Sequence, residues 1–109
     1  MSEIKNITDK LIEFRNERDW AQFHNAKDLA LALSIEAAEL NELFLWKKAE
    51  EADVSKIKDE LADVFAYAFQ LAAKYDFDVQ EIVESKMAKN ALKYPIQKAR
   101  GSAEKYTDL

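Results

Sequence analysis

Four stretches of this chain repeat apolar residues at helical spacing. Ile4, Ile7, Leu11 and Phe14 mark one face of a helix over about residues 3–18. The segment from Asp19 to His24 breaks that period and carries Trp20 and Phe23. A second helix is expected over about 26–48, with Asn25 as N-cap and Asp28 as a capping-box-like partner three residues on. Residues 49–53 read as a short acidic connection. A third helix follows over about 54–75, with Ile57, Leu61, Val64, Ala68 and Leu71 as its inner stripe. Asp78 and Glu81 open a fourth helix over about 79–92, which Pro95 stops. Residues 96–109 are mostly polar, contain Gly101 and read as a loose tail. The second and third helices are joined by so few residues that they should pack antiparallel.

One residue disturbs this pattern. Glu36 falls inside the stripe Leu29, Leu33, Glu36, Leu40, Leu43, where a plain bundle needs an apolar side chain. It belongs to the pair Glu36-Ala37-Ala38-Glu39. A second pair, Glu60-Leu61-Ala62-Asp63, borders the inner stripe of the third helix and continues in a row to Tyr67. An i, i+3 spacing sets both carboxylates of a pair on one helical face. Antiparallel packing brings the two pairs face to face. Four converging carboxylates repel unless a cation lies between them, and a hard divalent cation such as Mg²⁺ prefers oxygen ligands. The bland alternative for either pair is a solvated acidic face. Glu42, Glu50, Glu51 and Asp59 read as ordinary solvated charges.

Composition narrows the class. A chain of 109 residues is one domain, and one Gly and one Pro argue against an all-β fold. The apolar share of 49% suffices for a small core. No apolar run approaches the roughly 20 residues of a membrane span, so no membrane partner is expected. There is no Cys, hence no disulfide or thiolate zinc site. The N-terminal Met-Ser-Glu-Ile-Lys lacks a signal-peptide core, and a cytoplasmic location is expected. The net charge of −5 speaks against binding a nucleic-acid polymer, though a metal can still bridge acidic groups to a small phosphorylated substrate.

Other candidates have two readings each. Trp20 and Trp46 are core or subunit-interface residues, or else a stacking wall for a nucleobase. On a continuous second helix, Trp46 would project from nearly the same side as Glu39, about 10 Å along the axis at 1.5 Å per residue. Lys86, Lys89, Asn90 and Lys93 share a face of the fourth helix, as a solvated stripe or a phosphate-binding edge. His24, the single histidine, reads as a loop or interface residue. No Glu has the His three residues later that a di-iron bundle needs.

The order Glu36-x-x-Glu39 then Glu60-x-x-Asp63 resembles the signature of the all-α MazG-type nucleoside triphosphate pyrophosphohydrolases. Glu17-Arg18-Asp19-Trp20-Ala21-Gln22-Phe23-His24 and the run from Glu36 to Trp46 are similar to the small dCTP pyrophosphatase branch, as are Lys86-Met87-Ala88-Lys89-Asn90 and Lys93-Tyr94-Pro95. The resemblance covers roughly residues 5–95, which sets an expected domain of 1–95 and a tail of 96–109. It implies a four-helix bundle completed as a homodimer or homotetramer. It implies Mg²⁺-dependent hydrolysis of a nucleoside triphosphate, dCTP or a modified relative, to the monophosphate and pyrophosphate. By the motif, Glu36, Glu39, Glu60 and Asp63 are the catalytic metal ligands. Lys86 and Asn90 match substrate-contact positions, and Trp20, Trp46 and Tyr67 match positions near base and sugar. A broad-specificity pyrophosphatase and a non-catalytic helical interaction module are the competing readings.

Overall fold

The computed structural model describes residues 2–109, and among them the chain is all-α, with no strand. Four helices carry the fold: α1 (Glu3–Glu17), α2 (Ala26–Glu42), α3 (Val54–Lys74) and α4 (Val79–Lys93), followed by a single turn, α5 (Ile96–Ala99). The described residues fall into two compact units, one running up to Asp76 and the other Phe77–Leu109.

Each long helix begins where a short polar side chain satisfies a free backbone N–H. The Ser2 hydroxyl accepts from Lys5 N at 3.0 Å, Asn25 from Asp28 N at 2.9 Å and Asp78 from Glu81 N at 3.0 Å. Asp53 caps α3 by accepting from the backbone of Ser55 and Lys56. The ends lack the usual glycine. Asp19 and Asp76, just past α1 and α3, take the left-handed conformation at φ 56° and 54°.

In the first unit, α2 and α3 form the principal packed pair and α1 lies against α3. His24, just before α2, meets Gln70 near the end of α3, while Glu36 in mid-α2 lies by Glu60 in the first half of α3. The two helices therefore run antiparallel, as their short connection predicts. Leu29 is fully buried between them, and Leu33, Leu40 and Leu43 are half-buried on the same stripe. The internal core is small: Leu29, Ala52, Ala72 and Gln70 are the buried residues among those described.

Two expectations are corrected. The second helix ends at Glu42, not near residue 48. From Leu43 to Leu45 the backbone N–H groups bond three residues back, to Leu40, Asn41 and Glu42, so the helix tightens and unwinds. Trp46 then adopts φ 63°, off the helix axis, and is 93% exposed. The stretch after Pro95 is not a loose tail. Pro95 is the N-cap of α5, and Tyr106 packs edge-on to Tyr94 at 5.9 Å with the Lys93 ammonium 4.8 Å from its ring centre.

Candidate active site

Glu36 reaches the site because α2 is held by its leucine stripe, and Glu60 and Asp63 because one turn of α3 sets them on a common face. A carboxylate oxygen from each of Glu36, Glu60 and Asp63 lies within 4.8 Å of the other two. Glu39 is exposed at the edge of this set and outside that trio. It nonetheless acts on its neighbours, through hydrogen bonding and charge, on both Glu36 and Glu60.

The electrostatics are those of crowded anions. Burial, then the hydrogen bond and charge of Glu39, then the charge of Asp63, raise the Glu36 carboxyl from 4.5 to about 7. Glu60 is raised too, first by burial and next by Glu39. Both carboxyls therefore hold their protons more tightly than a free glutamate does. Tyr67, one turn beyond Asp63, has its phenol raised above 10.0 by burial and by the charges of Glu36, Asp63 and Glu39, so it remains a neutral O–H.

The Oε2 atoms of Glu36 and Glu60 are buried and have no hydrogen-bond partner. Two partnerless carboxyl oxygens beside a third carboxyl, with no lysine or arginine ion pair among them, form an all-oxygen donor set that fits a hard divalent cation.

A cavity of about 430 Å³ opens beside the cluster, with Asp63 in its wall. Ile7, Leu11 and Phe14 of α1, Ala66, Tyr67 and Gln70 of α3, and Trp20 and His24 from the intervening segment line it, with Lys10 and Arg15. Trp20 packs edge-on to Phe14 at 6.0 Å, and the Arg18 guanidinium lies 3.6 Å over the Phe14 ring. An apolar aromatic wall next to an acidic cluster suits a ligand with one flat end and one multiply charged end.

Among the expected site residues, Glu36, Glu39, Glu60, Asp63, Tyr67 and Trp20 come together within the first unit. Trp46 does not join Trp20 in the cavity wall, because the backbone turns away after Glu42. Lys86 and Asn90 are exposed on α4, in the Phe77–Leu109 unit. His24, Gln70, Lys10 and Arg15 line the cavity without having been singled out as site residues. For Gln70 a signal existed: it is the one uncharged polar amide in the apolar stretch from Phe65 to Ala73.

Residues 31–109 match the model of the MazG-like family. The chain is 45% identical to dCTP pyrophosphatase 1 of Mus musculus over 97% of its own length and 67% of the mouse protein. It is 43% identical to dCTP pyrophosphatase 1 of Homo sapiens, again over 97% of this chain and 67% of the relative. Among solved structures it resembles a pyrophosphatase from Archaeoglobus fulgidus, with a TM-score of 0.80 and 35% identity, covering 87% of this chain and 94% of that one.

Proposed function

Because this chain belongs to the MazG-like family and is a nucleoside triphosphate pyrophosphatase, we propose that it hydrolyses dCTP or a modified dCTP to the monophosphate and pyrophosphate. It does so with Mg²⁺, clearing such nucleotides from the cytoplasmic pool. The single observation that supports the site most directly is the pair of buried, partnerless Oε2 atoms of Glu36 and Glu60. Glu36, Glu39, Glu60 and Asp63 would hold the ion, which when bound neutralises phosphate charge and acidifies its water.

The chain's own residues divide the remaining work. The acidic cluster repels a bare triphosphate and accepts a metal-loaded one, so it selects the charge state of the substrate. One of these four carboxylates would also orient or deprotonate the attacking water. The water's oxygen forms the new bond to the α-phosphorus, the bond to the bridging oxygen breaks, and pyrophosphate leaves with that oxygen. Trp20 and Tyr67 would hold the base and sugar in the cavity beside Asp63. Trp46, Lys86 and Asn90 are substrate-contact candidates from the family resemblance alone. A panel of nucleoside triphosphates with Mg²⁺ should show pyrophosphate release fastest with dCTP, abolished by EDTA and restored by Mg²⁺. Direct orthophosphate release, or activity without metal, would sink the reading, and equal rates across all bases would favour the broad-specificity alternative.

The same reading includes a homodimer or homotetramer. Leu31 and Ile35, one turn apart on α2, are 55% and 49% exposed, and Val54 at the start of α3 is 77% exposed. Large apolar side chains left this open to solvent are what assembly interfaces cover. Light scattering should return at least twice the mass of one chain. Leu31→Lys, at a position already open to solvent, should shift it toward the single-chain mass and lower activity. A wild type of single-chain mass would remove the assembly from the proposal.

A further inference from the structure

The cavity contains one buried polar side chain whose hydrogen bonds are fully determined. Gln70 is 6% exposed. Its amide nitrogen donates to the Ala66 carbonyl at 3.1 Å. A carbonyl oxygen only accepts, so the amide cannot be turned the other way without setting oxygen against oxygen. Gln70 Oε1 is therefore the atom 3.1 Å from His24 Nδ1, and Oε1 also only accepts. The proton must sit on Nδ1. In the neutral imidazole the other nitrogen, Nε2, is then a lone-pair acceptor. His24 lines the cavity, its ring edge-on to Tyr67 at 6.1 Å and 71°.

Resting on the nucleotide reading above, we propose that Gln70 is a positioning residue that sets base selectivity. It fixes the Nδ1–H tautomer of His24, so that Nε2 accepts a hydrogen bond from the exocyclic amine of a cytosine-type base. Cytosine carries an N–H₂ donor where uracil and thymine carry a carbonyl acceptor. An acceptor nitrogen rewards the amine and sets lone pair against lone pair for the carbonyl. The discrimination rests on which ring nitrogen of His24 carries the proton, which Gln70 sets. A site built around one polar partner rejects the analogue lacking it more strongly than an apolar wall does. The stacking residues Trp20 and Tyr67 offer a face that every base satisfies, and cannot supply this distinction.

The chain has one histidine, so its ring nitrogens give a single, unambiguous NMR signature. Long-range ¹H–¹⁵N spectra of the nucleotide-free wild type, at a pH where the imidazole is neutral, should show a protonated Nδ1 and an unprotonated Nε2. Gln70→Leu removes the acceptor while keeping the bulk. It should shift the ring toward the Nε2–H form and narrow the ratio of kcat/KM for dCTP over dUTP by about tenfold, the worth of one hydrogen bond. If Gln70→Leu does not fold, Gln70→Met carries the same expectation. An Nε2–H wild type overturns the proposal, and so does a tautomer change that leaves the dCTP-to-dUTP ratio intact. A wild type with the Nδ1–H ring that releases no pyrophosphate from dCTP or dUTP overturns the nucleotide reading and the selectivity together. The tautomer assignment then survives, so the two failures are distinguishable.

Discussion

Glu36→Gln is expected to lower kcat/KM for the preferred nucleotide by about 10²–10³-fold while raising the thermal midpoint of the metal-free protein. The two effects have opposite signs because one residue serves two conflicting ends. For folding, Glu36 is a fault: a carboxylate inside a leucine stripe, with a buried oxygen that has no partner and a proton held up to about 7 by burial and by Glu39. Glutamine has the same shape, carries no charge and supplies N–H donors to the carboxylates of Glu39 and Glu60. For chemistry the anionic oxygen is the asset, and an amide is a poor ligand for a hard cation. Kinetics in Mg²⁺ and thermal melts in EDTA read the two arms separately. Activity close to wild type would take Glu36 out of the metal-binding set, and a lower midpoint would make it a structural residue.

The stability of the metal-free protein should fall as pH rises from about 5 to 8, and Mg²⁺ should reverse that slope. Glu36 titrates near 4.5 in the unfolded chain and at about 7 in the folded one. The folded state thus holds its proton more tightly. The contribution is fully present below 4.5, declines through the interval up to about 7 and is gone above it. Glu60, raised in the same direction, adds to the trend. Added Mg²⁺ competes with protons for the same oxygens, so its stabilisation should be greatest where the carboxylates are ionised. Thermal midpoints at pH 5, 6, 7 and 8, in EDTA and in Mg²⁺, give both slopes. A flat profile in EDTA would mean that Glu36 ionises freely in the folded state. Glu36→Gln should flatten the EDTA profile.

Much of this was legible in the sequence, for reasons specific to each part. Helix starts were readable because Asn25 and Asp78 each put a side-chain oxygen three residues before a free N–H. The acidic cluster was readable because Glu36 breaks an apolar stripe, and such a break is costly unless it is used. The end of α2 was not readable. Leu43, Phe44 and Leu45 continue the helical pattern in composition, no Gly or Pro marks the stop, and the unwinding is carried by backbone bonds alone. The early end of α2 turns Trp46 away from the place beside Glu39 that a continuous helix would give it. The turn after Pro95 was hidden differently: a residue that stops one helix also serves as N-cap of the next. Gln70 and His24 lie 46 positions apart, and no local pattern joins them.

The aspartates that close α1 and α3 have a bearing on how this protein tolerates change. A left-handed residue with a side chain costs about 1–2 kcal/mol relative to glycine, and an acidic group at a helix C-terminus opposes the backbone dipole. The fold therefore carries stability it has not used, at Asp76 well along the chain from the acidic cluster. Its active-site fault at Glu36 and its helix ends draw on the same thin margin. Any lineage or laboratory variant that repairs a helix end gains room for a further substitution in the cavity wall, where altered base preference has to be built.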